Sequence, residues 1–240
     1  MADELTLVPQ DNRLLAALPT ELFALMQRDF KQISLAQGQA LYEPGEPIDE
    51  IYFPLSGMIS LLVIAKNGGA IETATIGREG AVGLHGGVGK RVSFTRATIQ
   101  IPGKFSVIRA AAFAQSVQDH PPLRDLIARY TEVLWAEAQQ IAACNAIHDA
   151  PARLCRWLLQ SADRVGSDHL PLTQDLIAQM LGVRRTTVTL LAQSLQRQGV
   201  IKYARGHITI IDREHLRHCA CECYAIMQQE KLPLKIGVHF

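Results

Sequence analysis

From Leu123 to Asp149 the chain contains neither glycine nor proline, and two prolines, Pro121 and Pro122, stand immediately before this stretch. Proline is tolerated in the first turn of a helix, where its missing N–H would have had no intrahelical partner. The pattern predicts one long helix that separates a first half of short apolar runs from a second half with helical spacing. Along it Ile127, Tyr130, Leu134, Glu137, Ile141, Cys144 and His148 recur every three or four residues, the seam spacing of a coiled coil. A second copy of the chain is the expected partner of that seam. The competing reading is a stripe packed on the chain's own first half, because Glu137 interrupts the seam and the repeat spans barely three heptads.

Ahead of the long helix, Leu14, Leu15, Leu18, Leu22, Phe23, Leu25 and Met26 fall at helical spacing. Near residue 33 the period changes to short strand-like runs broken by turns. Pro44-Gly45, Gly57 and Asn67-Gly68 mark those turns. Strands of four to eight residues at such intervals predict a β-sandwich or roll. The glycine-rich "GGVGK" ending at Lys90 is not a phosphate-binding P-loop. That pattern needs glycine where Leu84 stands and a hydroxyl where Arg91 stands.

Charge is distributed unevenly although the net value is only +1. Residues 150–211 hold eight Lys and Arg against three Asp and Glu, so a polyanion would be attracted there. Within this segment Asp149 precedes Pro151 as a helix cap, Leu154, Trp157, Leu158 and Ala162 form an apolar face, and Gly166 stops the helix. Thr173 caps a short helix with Asp175 in its first turn and Leu176, Ile177, Met180 and Leu181 facing inward. Gly182 turns the chain into a second helix from Arg184 or Arg185 to about Gln198, with Val188, Leu191 and Leu195 on its buried side. Two helices joined by a short glycine turn are a helix-turn-helix, whose second helix enters the major groove N-terminus first. Arginine there bonds guanine O6 and N7 in pairs, and threonine offers a hydroxyl and a methyl. We therefore expect Arg185, Thr186 and Thr189 at base edges, and Arg184, Thr187, Lys202 and Arg205 on phosphates. The hairpin "VIKYARGHITII" serves as a wing carrying the last two.

"LYEPGEPIDEIYFPLSG" resembles the opening of the cyclic-nucleotide-binding-type β-roll, with its two glycines and aromatic pair at family spacing. Residues 173–212 are similar to the winged helix-turn-helix of the Crp/Fnr superfamily of bacterial transcription regulators. The resemblance implies an α+β fold: an N-terminal β-roll sensor with its leading helix (1–120), a long dimerisation helix (121–149), a winged helix-turn-helix (150–212) and a C-terminal helix and tail (213–240). It implies duplex DNA, a second copy of the chain, RNA polymerase and a small-molecule effector as partners. Three departures bear on function. In members that bind cyclic AMP, a Gly-Glu pair and an Arg-Ser pair grip the nucleotide. Here Gly83-Leu84 and Arg91-Val92 stand at those places, and leucine cannot accept a hydroxyl bond. The Thr-Ser pair that reaches the ligand from the long helix falls on Ala138 and Gln139. These changes disfavour cyclic AMP as effector and leave Gly83 and Arg91 as the candidate effector contacts, Arg91 toward an anion. On the recognition helix, the resemblance matches Arg185 to the family's first reading arginine. Thr186 replaces its glutamate and Leu190 its second arginine, which implies a different operator.

Five cysteines, with Cys219, Cys221 and Cys223 crowded together, do not make a disulfide framework. On one continuous helix Cys219 and Cys223 would share a face and Cys221 would point away, so no metal, cofactor or catalytic residue is expected. The absence of cysteine from residues 1–143 disfavours an iron–sulfur sensor of the Fnr type. A cupin enzyme would need an H-x-H pair, and His85 stands alone in the roll. Hydrophobic content of 48% with 20% charged residues, no apolar run of membrane-spanning length and an acidic N-terminus predict a folded cytoplasmic chain of two domains, each with its own core. The rival to a DNA-binding regulator is a β-roll module that controls a protein partner without touching DNA.

Overall fold

Asn12 ties the first helical turns to the β-roll. Its Oδ1 accepts the N–H groups of Leu14 and Leu15, capping α1 (Arg13–Ala16), and its Nδ2 donates to the carbonyls of Pro54 and Gly80 at 3.0 and 2.9 Å. The computed structural model describes residues 11–66, 68–88 and 92–230; Asn67, Gly89, Lys90 and Arg91 of the sequence reading lie outside them. After α2 (Thr20–Met26) come seven strands: β1 (Phe30–Leu35), β2 (Ala40–Tyr42), β3 (Glu50–Pro54), β4 (Met58–Ile64), β5 (Ala70–Ile76), β6 (Arg96–Ile101) and β7 (Gly103–Arg109). They form two antiparallel sheets, β1-β7-β3 and β2-β6-β4-β5. Leu35, Ile59, Ile76, Ile99, Phe105 and Val107 fill the space between them, as strand alternation requires.

Helix α3 (Ala110–Asp119) leads into α4 (Pro121–Ile147), the predicted long helix. Its seam faces inward. Ile127 and Tyr130 pack with Leu14, Phe23 and Phe113, and the Tyr130 hydroxyl lies 3.2 Å from the Ala81 N–H. Glu137 is buried in an ion pair, and Ile141 and Cys144 meet the C-terminal segment. The stripe assigned to a coiled coil is thus occupied within the chain, because the helices around the β-roll and the C-terminal segment supply the apolar surface it covers. The face left exposed carries Ala128, Trp135 and Ala142 seven residues apart, with Glu132 and Gln139 between them and Ala146 beyond.

Asp149 accepts from the Ala152 N–H at 3.1 Å and caps α5 (Ala150–Val165), which Gly166 ends in a left-handed conformation. This helix is buried on nearly every side. Leu154, Trp157 and Leu158 share one apolar cluster with Met58, Leu62 and Ile101 of the roll and with Leu181, Val188 and Ile208 further on. Three residues of the roll thus join the cluster of the second half, while the two other large apolar clusters lie wholly before residue 135. Trp157 Nε1 donates to Glu72 Oε1 of β5 and Ser60 Oγ to Glu72 Oε2, both at 2.7 Å. Burial pushes the Glu72 carboxyl up to about 7 against these two bonds.

Strand β8 (His169–Leu170), α6 (Gln174–Leu181), α7 (Arg185–Arg197), β9 (Ile201–Ala204) and β10 (His207–Ile210) follow. The wing has three strands in the order β8-β10-β9, one more than the hairpin predicted, because Leu170 pairs with Ile208. Arg213 of α8 (Arg213–Cys219) pairs with Asp163 of α5 and, at 2.6 Å, with Asp168. The chain then straightens at Ala220 and restarts as α9 (Cys223–Glu230). The single helix expected across the cysteines is broken, so Cys221 does not point away. It turns with Cys223 toward Cys144 on α4. No helix among the described residues is long and apolar enough to cross a membrane.

Candidate nucleic-acid interface

The turn between α6 and α7 is built by local rules. Thr173 Oγ1 accepts from the Leu176 N–H at 3.3 Å to start α6. Gly182, at φ +65°, ends it with its N–H on Ala178 and Gln179 carbonyls, a conformation that a side chain would strain. Arg153 of α5 donates to the Leu181 carbonyl, satisfying another free acceptor of that helix end. Arg184 then stands at the N-cap of α7 in extended conformation, and Val188, Ala192 and Leu195 anchor the inner face.

That anchoring turns the opposite face of α7 outward. Arg184, Arg185 and Thr186 are exposed in or just before the first turn, and Thr187 and Thr189 are half-buried. Further along the same face lie Leu190, 66% exposed, with Gln193 and Arg197. The first turn also carries the positive end of the helix dipole and the unpaired N–H groups that suit a phosphate. Arg185 Nη1 lies 3.3 Å from Asp175 Oδ2 of α6, with both side chains about two-thirds exposed. Such a solvated pair contributes little to stability and leaves the guanidinium available.

Two groups here escaped sequence reading. The Thr189 hydroxyl stands 2.7 Å from Gln174 Oε1 and 3.1 Å from the Arg185 carbonyl, so Gln174 holds it in place. Leu190, noted only as a departure from an arginine, is an outward apolar side chain among polar ones, suited to a thymine methyl. Its i+4 relation to Thr186 on a helix whose other face is apolar could have indicated this.

Lys202 on β9 and Arg205 at the wing tip are exposed. Arg205 and Gly206 form the two-residue turn, both at positive φ. Beside them His169 and His207 stack with ring centroids 5.1 Å apart. The wing is held against α7 by the Tyr203 N–H, which donates to Gln196 Oε1 at 2.9 Å.

Of the two candidate effector positions, only Gly83 is among the described residues, Arg91 lying outside them. Gly83 sits in a turn at φ +92°, where a Cβ would stand 2.5 Å from the Tyr42 hydroxyl. Leu84 is buried in the apolar cluster of α1, α2 and α4, with Leu14 and Leu123.

Residues 32–120 match the cyclic nucleotide-binding domain family and residues 152–219 the Crp-like helix-turn-helix domain family. Among curated relatives, the CRP-like cAMP-activated global transcriptional regulator of Mycobacterium tuberculosis is 23% identical over 212 residues, covering 80% of this chain and 89% of that protein. The global nitrogen regulator of Synechocystis is 24% identical over 184 residues, covering 72% of this chain and 81% of the relative. In fold, the chain is similar to FixK2 from Bradyrhizobium japonicum, with a TM-score of 0.68 at 18% identity over 80% of this chain and 98% of that one. It is also similar to the regulator CLP of Xanthomonas campestris, with a TM-score of 0.64 at 15% identity over 80% and 99%. With a β-roll, a long helix and an outward-facing helix-turn-helix in this order, the chain belongs to the Crp/Fnr superfamily and is a transcription regulator of that type.

Proposed function

We propose that this regulator binds duplex DNA sequence-specifically as a homodimer. Arg185, Thr186 and Thr189 meet base edges, and Arg184, Thr187, Lys202 and Arg205 meet phosphates. The observation that carries the reading is the outward face of α7, where two arginines and a run of hydroxyls stand solvated at the N-terminus of a helix anchored from behind. Pairing is assigned to the exposed face of α4, since Trp135 is 67% exposed at the centre of a seven-residue repeat flanked by alanines. A second copy placed there would set two recognition helices for two half-sites. The division of labour follows the segments: sensing in 1–120, pairing in 121–149, DNA contact in 150–212 and support from 213–240. Such a chain acts in the cytoplasm with RNA polymerase as its eventual partner.

The effector in this reading is not cyclic AMP. Leucine replaces the carboxylate that would take the ribose hydroxyl, and Leu84 is committed to an apolar cluster. Gly83 and Arg91 remain the assigned effector contacts, the latter for an anionic group. Titration with cyclic AMP should give no binding heat at millimolar nucleotide, on the order of the weakest specific affinities.

The deciding experiment selects duplexes from a random pool with the full chain. Fluorescence anisotropy then compares a selected duplex with a scrambled one across salt concentrations. A preference of about 10³-fold or more with a steep salt slope is expected. Equal binding to both, or no salt-dependent binding, would instead support a module acting on a protein partner.

A further inference from the structure

The C-terminal end of the long helix and the link between the last two helices converge on one buried point. Cys144 lies in the last turn of α4 and His148 just past its end, and Cys221 and Cys223 flank Glu222 where the chain leaves α8 and enters α9. Cys144 Sγ is 3.5 Å from Cys221 Sγ, and Cys223 Sγ is 3.6 Å from His148 Nδ1. One donor atom from each of the four lies within 4.8 Å of the others. Cys144 and Cys223 have no exposed surface and Cys221 has 7%. We propose that Cys144, His148, Cys221 and Cys223 bind a single zinc ion in a tetrahedral Cys3His site.

The dimensions suit one ion. A metal–sulfur bond of about 2.3 Å in tetrahedral geometry sets sulfur–sulfur edges near ~3.8 Å. The 3.5 Å sulfur–sulfur separation sits just inside that edge, the 3.6 Å sulfur–nitrogen separation matches the shorter edge of about 3.6 Å that a metal–nitrogen bond of about 2.0 Å gives, and no pair lies beyond 4.8 Å, so a small adjustment completes the shell. A polynuclear iron–sulfur cluster needs its ligands further apart. A disulfide would use two of the thiols and leave the third, with the imidazole, gathered for no purpose. Soft thiolates with one imidazole select zinc among the available divalent ions.

The surroundings are those of a ligand set. His148 Nε2 lies 3.1 Å from Glu222 Oε1, which fixes the proton on Nε2 and turns Nδ1 toward the sulfurs. Gln140 Nε2 donates to Cys223 Sγ at 3.0 Å. Three thiolates and Zn²⁺ carry a net charge of −1. The Arg156 guanidinium is 3% exposed nearby, with its Nε lacking a hydrogen-bond partner among the described residues. Binding releases the three thiol protons to solvent, with no redox step. The ion fastens the C-terminal helices to α4 directly ahead of α5, whose cap Asp149 follows His148. It thus fixes the frame on which the helix-turn-helix sits, and the site stands whether or not the DNA reading holds.

The test uses the full chain, purified without a chelating tag under reducing conditions and dialysed. Elemental analysis should find about one zinc per chain. Exchange into Co²⁺ should produce thiolate-to-cobalt charge-transfer absorption together with the intense ligand-field bands of a tetrahedral centre. Glu222→Gln should weaken zinc binding by about 10- to 100-fold through the lost support of His148. Cys223→Ser should weaken it further, and Cys219→Ser, whose thiol stands outside the group, should retain full zinc. Should the cysteine variant fail to fold, the wild-type cobalt spectrum decides alone. A wild-type chain that stays metal-free after exposure to zinc overturns the proposal. So does an octahedral cobalt spectrum without charge transfer, a Cys144–Cys221 disulfide in the reduced preparation, or a Cys219→Ser chain that loses its zinc.

Discussion

Glu137 of α4 and Arg164 of α5 form an ion pair in the interior, with side-chain exposures of 7% and 1%. A second carboxylate, Glu79 from the loop after β5, lies 2.9 Å from Arg164 Nε. One guanidinium thereby joins the β-roll, the long helix and the helix that leads to the recognition helices. The neighbouring carboxylates raise the Arg164 pKa against the effect of burial, so the charge persists. Removing one partner of a buried pair typically costs about 3 to 5 kcal/mol, because the other charge is left uncompensated. We expect Glu137→Gln to fall near ~3 kcal/mol, since Glu79 and the amide oxygen still accept from Arg164. Urea unfolding of both chains measures this, and a loss below ~1 kcal/mol would mean that solvent reaches the pair.

Glu72 makes the same junction sensitive to pH. Its carboxyl is pushed up to about 7 from an ordinary 4.5, chiefly by burial. Between those values the folded chain holds a proton that the unfolded chain has released, so stability falls as pH rises through this window and stays reduced above it. Glu72→Gln should flatten that slope and be more stable than the parent at about pH 8, while matching it near pH 5. Denaturation midpoints at the two pH values give the comparison. A parent chain that gains stability across the window would show Glu72 ionised throughout.

On the recognition helix, Arg185→Ala should cost about 1 to 3 kcal/mol on the selected duplex and relax selectivity at one base pair. Lys202→Ala should weaken all duplexes alike and reduce the salt slope by about one. Anisotropy titrations on selected and scrambled duplexes separate the two roles. Equal effects of both changes on both duplexes would reverse the division into base and phosphate contacts.

Asp175 Oδ2 lies 3.3 Å from Arg185 Nη1 on solvated surface, so in the proposed interface it would compete with DNA for the guanidinium. Asp175→Asn keeps the side-chain shape, frees the guanidinium and removes a negative charge facing the phosphates. Affinity should rise severalfold at low salt, on the order of 1 kcal/mol, and the gain should shrink at high salt. A gain independent of salt would point to a cause other than this pair.

Trp135, exposed on the single chain, should become buried on pairing. Trp135→Glu places a charge at the centre of that face and should convert a dimer to a monomer in sedimentation equilibrium, with little change in helix content. A dimer of unchanged stability would place the contact elsewhere.

The sequence by itself determined the elements: the proline-headed long helix, the turns at Gly45 and Gly57, the Thr173 and Asp149 caps and the Gly182 corner. Each is a local rule, since caps, breakers and periodicity act over a few residues and leave their mark within that distance. The outward arginine–threonine corner was legible for the same reason: Val188 and Leu195 name the inner face, and the helical period supplies the outer one. Tertiary structure alone decided which partner each face received. Nothing near Glu137 announces Arg164, and nothing near Cys144 announces Cys221, 77 positions away. The seam of α4 reads the same whether a second chain or other parts of the same chain cover it, because periodicity records that a face is buried and not what buries it. Trp135 on the opposite side became notable only once that covering was in place.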